Sequence, residues 1–244
     1  MHQPLSLHAR KARPAHSARS KRDRLSGRRR SPAVRKPKRD DPLSAVLASG
    51  ALARLLIHLA VRPDEPTHLR GLQRSTGLAP RSLQTELARL QQLGLVHREV
   101  SGRRVRYLVN EQSPRWRLVR ELVRELAAPT DVVRDALSDV PGVEAAFVFG
   151  SMARGTDIRE GSDIDVFVLR GDLDEDRLAR RTIDAGVLLT RDINPVVMEA
   201  DELKERLSSG SGFLQNVLSS PKRWVAGDER ALQPTLAGEA GLKS

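Results

Sequence analysis

Two acidic side chains separated by one residue stand at the start of an apolar run. They are Asp163 and Asp165, in the segment SDIDVFVL that ends at Leu169. Alternate residues of a β-strand lie on one face, so both carboxylates are predicted to point the same way, with Ile164 directed into the core. Adjacent carboxylates repel each other unless a cation joins them. Mg²⁺ is commonly bound by one or two carboxylates together with substrate phosphates, so the spacing indicates a divalent metal site.

Small and basic residues precede these acids in the segment GSMARG, residues 150–155. Gly150 permits a close backbone approach. Ser151, at the start of a predicted helix, offers a hydroxyl and free backbone N–H groups to phosphate oxygens, and Arg154 adds a cation on the same side. Together with the acids, this pattern predicts a triphosphate cradle that faces a metal pair. In the alternative interpretation, Gly-Ser is an ordinary turn and the two acids only cap a strand.

The combined pattern of Gly-Ser, Ala-Arg-Gly and Ser-Asp-Ile-Asp resembles the nucleotidyltransferase superfamily that includes DNA polymerase beta. It resembles the minimal nucleotidyltransferases of bacteria and archaea more closely. The resemblance implies Mg²⁺-dependent transfer of a nucleoside monophosphate (NMP) from a nucleoside triphosphate (NTP) to a hydroxyl. It also implies that Asp163 and Asp165 bind the metal. The nucleotide-binding residues that it implies are Gly150, Ser151, Arg154 and Ser162.

The resemblance further implies a third carboxylate on the third strand, which helps to bind the catalytic metal and draws the proton from the attacking hydroxyl. That strand is RDINPVVM, and alignment on its apolar run places the expected acid at Asn194. An amide is a neutral ligand and no base at pH 7. Asp192 shares the face of Asn194 but lies roughly 7 Å away along the strand. Asp192 therefore remains an alternative catalytic acid, and nucleotide binding is better supported than turnover.

These residues need a scaffold, and the segment 130–232 predicts a small mixed sheet covered by helices. The apolar runs VEAAFVFG, DIDVFVL and DINPVVM read as strands. A short helix is predicted from Ser151, and longer helices at LDEDRLARRTIDAGVLL and DELKERL. The segment FLQNVLSSPKRWVAGDERAL then predicts a helix, a short strand and a tail helix.

The segment 43–110 predicts three helices followed by a basic hairpin. Leucines at helical spacing define the helices, with Thr67 as the predicted N-cap of the second, Gly77 closing it and Pro80 opening the third. The runs LVHREV and RVRYLVN predict the hairpin. This order resembles ArsR/MarR-like winged-helix regulators, and protein docking is the alternative role. The residues predicted to contact DNA are Arg81, Ser82, Gln84 and Thr85 on the third helix and Arg103, Arg104 and Arg106 on the wing.

Residues 111–129 read as a helical linker. Its apolar stripe comprises Trp116, Leu118, Val119, Leu122, Val123 and Leu126. The stripe is predicted to belong to the core, and packing of two copies into a homodimer is the alternative.

The charge is concentrated at the N-terminus, where residues 1–40 hold 14 Lys or Arg and two acids. This segment is rich in Arg, Ser and Pro, which predicts a disordered basic arm that binds nucleic acid phosphates. In the alternatives, translation starts downstream or the arm is a transit peptide. Residues 233–244 are predicted to form a flexible tail. The chain has no cysteine, which excludes disulfides and thiolate metal sites. Without a membrane span or secretory signal, a cytoplasmic protein is expected.

The predicted fold class is α+β, with an N-terminal winged helix-turn-helix followed by a small mixed-sheet nucleotidyltransferase domain. Three functions remain open. The first is an NMP transferase whose winged helix docks on a target or on the promoter of its own gene. The second is a DNA-binding regulator whose degenerate transferase domain only senses an NTP. The third is an antitoxin-like role beside a helical toxin partner.

Overall fold

The structure, a computed structural model, describes residues 41–155 and 162–233. The predicted basic arm, residues 1–40, lies outside the described residues. The same is true of the predicted flexible tail beyond residue 233. Among the helices in the described part of the chain, none combines the length and the apolar character needed to cross a membrane.

The first part of the chain consists of helices followed by a hairpin. The helices are α1 (Pro42–Leu47), α2 (Gly50–Val61), α3 (Leu69–Thr76) and α4 (Pro80–Gln92), and the strands are β1 (Val96–Ser101) and β2 (Arg104–Val109). Leu52, Leu55, Leu56 and Leu59 of α2 are buried, and so are Leu83, Leu87 and Leu90 of α4. The predicted helical faces and the antiparallel hairpin are therefore confirmed.

The predicted N-cap of α3 is wrong. Thr67 does not cap this helix, whose N-cap position is His68 and lacks a side-chain cap. Instead, the backbone of Thr67 exchanges two hydrogen bonds with Tyr107, at 2.9 and 2.8 Å. This bridge ties the entry to α3 onto the edge of β2. A pairing over 40 residues satisfies the backbone groups of Thr67 and outweighs the local preference of threonine for a cap.

The second part of the chain forms a mixed sheet with helices on both faces. Its elements are α5 (Pro114–Leu126), α6 (Pro129–Leu137), β3 (Val143–Val148), α7 (Gly150–Arg154), β4 (Ile164–Arg170), α8 (Glu175–Leu189), β5 (Ile193–Glu199), α9 (Ala200–Ser208), α10 (Gly212–Ser219) and β6 (Arg223–Ala226). The strand order is β5-β4-β3-β6, in which only β4 and β5 pair in parallel. The predicted α+β class with a mixed sheet is confirmed. The expected tail helix is a single 3-10 turn, Glu229–Ala231.

Apolar clusters cover both faces of this sheet. On one face, Val148, Ile164 and Val166 pack with α6, α8 and the buried leucines of α2 and α4 in one continuous cluster. On the other face, Phe147 and Phe167 pack with residues of α9 and α10. Burial on both faces explains why β3 and β4 read as nearly unbroken apolar runs. Ile164 lies on the first face, so Asp165, the next residue of β4, lies on the second face.

The apolar stripe of α5 divides into a buried part and an exposed part. Trp116 and Val123 are buried, and Val119, Leu122 and Leu126 pack partly against the core. Leu118 is 71% exposed, so its predicted place in the core is wrong. It lies two residues from Trp116, a spacing that turns it to the outer side of the helix.

A buried network of charges joins α2, α6 and α8. The Arg62 guanidinium, 2% exposed, donates to the Asp135 carboxylate, to the Asp135 carbonyl at 2.6 Å and to Asp139 Oδ1 at 3.0 Å. His58 Nδ1 lies 3.0 Å from Asp135 Oδ1. Arg181 of α8, also 2% exposed, donates to Asp139 at 2.9 Å and to Glu65 at 2.7 Å. The network therefore fixes the helices of the first part against those that cover the sheet.

Asp139→Asn is expected to lower the melting temperature at neutral pH. Burial acts to raise the pKa of Asp139, but hydrogen bonds from Arg181 and Arg177 and the charge of Arg62 outweigh it and hold that pKa well below its usual range. The ionised carboxylate therefore stabilises the fold above its unfolded pKa of about 3.9. This contribution is lost as the pH falls through the lower folded pKa. The difference in melting temperature from wild type should be constant from pH 8 to 5 and shrink below about pH 4.

Asp172→Asn is the matched control, since it removes one negative charge from an exposed side chain. We expect it to change the melting temperature little across the same pH range. An Asp139→Asn protein as stable as wild type at pH 7 would contradict a stabilising role for the network.

Candidate active site

One edge of the sheet gathers the polar residues that the sequence singles out. The C-terminal end of β3 lies beside the N-terminal ends of β4 and β6, because β3 is antiparallel to both. The N-terminal end of β5 reaches the same edge, because β5 is parallel to β4. The edge therefore brings together Gly150 after β3, Asp163 and Asp165 around the start of β4, and Asn194 near the start of β5.

The two carboxylates occupy different environments at this edge. Asp163 is exposed and Asp165 is half-buried, with Ile164 fully buried between them. Burial, followed by the negative charge of Asp163, raises the pKa of Asp165. The expected arrangement, with two acids on one side and Ile164 in the core, is confirmed. A cation would relieve the repulsion and the unfavourable burial together.

Gly150 leaves room for one of these acids, Asp165. Its φ of 73° lies in the left-handed region, and a Cβ there would stand 2.9 Å from Asp165 Oδ2. One residue earlier, the Phe149 N–H donates to the Asp165 carbonyl at 3.1 Å. Any side chain at position 150 would therefore displace the carboxylate. The group that approaches the Gly150 backbone closely is therefore the Asp165 carboxylate.

The position of the expected third acid is held by Asn194. The β4–β5 register pairs Asp165 with Asn194 and Ile164 with Ile193. Asn194 Nδ2 donates to Asp163 Oδ2 at 3.3 Å. By contrast, the Asp192 carbonyl accepts from the Ile164 N–H at 2.8 Å, and the Asp192 side chain is exposed. Asn194 is thus the side chain of this strand that contacts the acidic pair.

The remaining predicted nucleotide-binding residues surround the same edge. Ser151 lies in the first turn of α7 and is half-buried, Arg154 ends that helix and is exposed, and half-buried Ser162 directly precedes Asp163. The first backbone N–H groups of α7 have no partner within the helix. Residues 156–161, between Gly155 and Ser162, lie outside the described residues.

Arg223 is a further cation at this edge, which the sequence did not indicate. It opens β6 opposite Val148. Its Nη2 lies 3.7 Å from the point that a Cβ on Gly155 would occupy, beside the C-terminus of α7. Its position depends on the antiparallel pairing of β6 with β3, which no local sequence signal indicates.

The donor set at the edge suits a hard divalent cation. It comprises two carboxylates and one amide, all oxygen-bearing groups of the kind that Mg²⁺ prefers. In the described ranges 41–155 and 162–233, no group of three or more His, Cys, Asp or Glu side chains is arranged to hold a metal. This agrees with the presence of Asn194 where a third carboxylate would complete such a group. Asp163 and Asp165 are therefore the residues that fit a metal.

The residues predicted to contact DNA lie on α4 and on the β1–β2 hairpin. On α4, Arg81, Gln84 and Thr85 are exposed and Ser82 is half-buried. The Thr85 hydroxyl donates to the Arg81 carbonyl at 3.0 Å. Three polar side chains of this helix are therefore accessible on the side opposite its buried leucines.

The hairpin presents a mixed charge pattern. Arg103 and Arg104 are exposed at its tip, whereas Arg106 is half-buried and lies 3.5 Å from Glu99 on the opposite strand. Glu99 is not among the residues predicted to contact DNA, although the pairing of β1 with β2 places it across from Arg106. The exposed arginines of the hairpin are thus Arg98 on β1 and Arg103 and Arg104 at the tip, whereas Arg106 is paired with Glu99.

Comparison with known proteins finds a family match for the part of the chain that contains the sheet. Residues 132–222 match a family model described as polymerase beta, nucleotidyltransferase. The matched segment contains Gly150, Asp163, Asp165 and Asn194, and it supports a nucleotidyltransferase domain with an activity of that general type. No match was found among curated proteins. The match starts after α5, so it does not extend to the N-terminal helices or the hairpin.

Proposed function

We propose that this protein binds an NTP with Mg²⁺ at the sheet edge and transfers the NMP to a hydroxyl acceptor. The observation that carries the proposal is the convergence of Gly150, Asp163 and Asp165, where a glycine without side-chain space abuts a carboxylate whose pKa is raised. The repulsion between two neighbouring carboxylates lowers the stability of a folded protein unless a cation binds between them.

The reaction joins the acceptor oxygen to the α-phosphorus and breaks the bond from that phosphorus to the bridging oxygen. Pyrophosphate leaves, and the hydroxyl proton passes to solvent or to a carboxylate at the edge. When bound, Mg²⁺ would supply charge neutralisation for the phosphates and the attacking oxygen. Asp163 and Asp165 would hold it, while the backbone N–H groups and the Ser151 hydroxyl at the start of α7 bind phosphate oxygens. Arg154 and Ser162 complete the proposed phosphate contacts.

A second candidate function is nucleotide sensing without turnover, and Asn194 is the observation that favours it. The amide contacts Asp163 where the resemblance implies a third carboxylate. It brings no negative charge and accepts no proton at pH 7. The protein would then bind Mg²⁺–NTP and respond to it through its N-terminal helices, which share a core with the sheet.

The position of the radiolabel on the NTP separates these functions. The wild-type protein is incubated with Mg²⁺, cell extract and an NTP labelled at the α-phosphate or, in parallel, at the γ-phosphate. NMP transfer predicts label on an acceptor from the α-labelled NTP alone. Enzymes of the extract transfer label themselves, so each result is compared with extract that lacks the protein. No additional labelled acceptor would then favour sensing, and additional transfer from the γ-label would indicate a kinase.

We further propose that residues 43–110 form a winged helix-turn-helix that binds duplex DNA. Three features support it: the order of α2, α3 and α4 before a hairpin, the bridge between Thr67 and Tyr107, and the exposed side chains of α4. A helix such as α4 fits the major groove, where Arg81 and Gln84 would reach base edges. Ser82 and Thr85 would assist them, and Arg103, Arg104 and Arg106 of the hairpin would meet phosphates.

Deletion of residues 1–40 is expected to weaken non-specific DNA binding and flatten its salt dependence. The segment holds 14 Lys or Arg. Without it the protein would neutralise fewer phosphates, so binding would release fewer counterions from the DNA. Sequence preference should survive, since it would depend on α4. The measurement is the slope of log K against log salt concentration, for a preferred and an unrelated duplex. An unchanged slope would exclude the segment from DNA binding.

The reciprocal variant Arg81→Ala/Gln84→Ala should lose sequence preference and keep most of the salt slope. Arg89→Ala, at the C-terminal end of the same helix, is the matched control for loss of a positive charge. It should leave the preference intact. Equal preference in all these proteins would contradict the assignment of α4 as the reading helix.

A further inference from the structure

The chain holds seven aromatic residues, and one of them is exposed beside the candidate active site. Phe147, Phe149, Phe167, Trp116 and Tyr107 are buried, and Trp224 is half-buried. Phe213 alone is exposed, with 52% of its surface open to solvent. An exposed phenyl ring contributes little to the stability of the fold, so the position of Phe213 beside the site invites a functional explanation.

Phe213 is held in place although it is exposed. It lies in the first turn of α10, whose Leu214 and Val217 are anchored in the apolar cluster under the sheet. Its ring meets the Phe149 ring edge to face, with centroids 6.2 Å apart and planes 75° apart. Phe149 is in turn packed against Phe147 in the core, at 6.4 Å. The exposed ring thus has a fixed position, which a loosely attached surface side chain would lack.

Phe149 connects this ring to the acids. It directly precedes Gly150, and its N–H donates to the Asp165 carbonyl at 3.1 Å. Asp165 and Phe167 lie on the same face of β4, and Phe167 shares an apolar cluster with Phe149 and Leu214. Phe213, Phe149 and the Asp165 side chain therefore lie on one face of the sheet.

We propose that Phe213 is the stacking platform for the nucleobase of the bound NTP. This inference rests on the proposed nucleotide site. Every nucleobase has a π-face, and stacking on an aromatic side chain is favourable without reading base identity. A phenyl ring has no hydrogen-bonding group, so it would bind nucleobases in general. The phosphates would lie towards Gly150 and the acids, and the base would extend over α10.

The test compares two ligands that differ in the presence of a nucleoside. Binding of Mg²⁺–ATP and of Mg²⁺–tripolyphosphate is measured by calorimetry for wild type, Phe213→Ala and Phe213→Trp. Phe213→Ala should weaken ATP binding about 5- to 150-fold, the range given by stacking of one base. Binding of tripolyphosphate should stay the same, and Phe213→Trp should bind ATP at least as tightly as wild type.

Val187→Ala is the matched control, because Val187 is also an exposed apolar residue, at 61%, but lies on α8 over the opposite face of the sheet. It should change neither affinity. Unchanged ATP binding in Phe213→Ala, or equal weakening of ATP and tripolyphosphate, would overturn the stacking role. Unchanged ATP binding with reduced transfer to a nucleic acid would assign the ring to the base of the acceptor instead. If wild type bound neither ligand, the proposed function itself would fail.

Discussion

Asn194→Asp is expected to raise NMP transfer by at least ~10-fold, a bound set one order of magnitude below the usual gain from general-base assistance of ~10² to 10⁴. Asn194 is paired in register with Asp165, and its amide contacts Asp163 Oδ2 at 3.3 Å. Aspartate is nearly isosteric, so the packing of β5 should hardly change. The substitution supplies the charge and the proton acceptor that the amide lacks. The measurement is the rate of α-label transfer under saturating Mg²⁺ and NTP.

The same substitution should have an opposite effect on the metal-free protein. It replaces a hydrogen-bond donor to Asp163 with a third negative charge at the edge, where burial and Asp163 already raise the pKa of Asp165. The melting temperature without metal should therefore fall slightly, and Mg²⁺ should restore it. Mg²⁺ affinity is expected to rise.

Asp192→Ala in the wild-type background is the control for the identity of the third acid. The side chain of Asp192 is exposed, while its carbonyl belongs to the β4–β5 pairing. If Asp192→Ala abolishes transfer and Asn194→Asp changes nothing, Asp192 supplies the catalytic carboxylate. The functional alignment of this strand would then be shifted by two residues.

Gly150→Ala is expected to reduce transfer by about 10²-fold, the usual cost of displacing a reacting group by about 1 Å. The new Cβ would lie 2.9 Å from Asp165 Oδ2, so the carboxylate must move away. Because the clash is with the end of a side chain, the fold can accommodate it. The left-handed backbone at this position adds a stability cost of about 1–3 kcal/mol.

A matched substitution separates the local effect from general strain. Gly94→Ala also places alanine at a positive φ, 68°, but no atom lies within 4 Å of its Cβ. It should lower the melting temperature to a similar extent and leave transfer unchanged. If Gly150→Ala retained full activity, the contact between Gly150 and Asp165 would have no catalytic role.

The local elements and the edge of the sheet could be predicted from the sequence. The motif residues Gly150, Asp163 and Asp165 define short-range geometry, since glycine and alternation along a strand act within a few residues. The third strand was aligned by its apolar run, and the parallel register of β5 with β4 places Asn194 where that alignment expected it. The helical faces of α2 and α4 follow equally from periodicity.

Features that depend on distant pairing could not be predicted. Thr67 has the side chain of an N-cap, but its backbone pairs with Tyr107 on a strand 40 residues later. The ion network links Arg62 to Asp135 and Glu65 to Arg181, residues separated by 73 and 116 positions. The six-residue helix α1 also escaped prediction, since it is too short for a periodic pattern.

The central claim is that Asp163 and Asp165 form the binding site for Mg²⁺–NTP. The most direct measurement is the melting temperature of wild type and Asp163→Ala/Asp165→Ala, each with Mg²⁺ alone, NTP alone and both together. A ligand that binds only the native state raises the melting temperature, so wild type should show a shift with Mg²⁺–NTP. The double variant should melt at or above the wild-type temperature without ligand, because the repulsion is removed, and should show no shift. A full Mg²⁺–NTP shift in the double variant would place the nucleotide elsewhere and contradict the account.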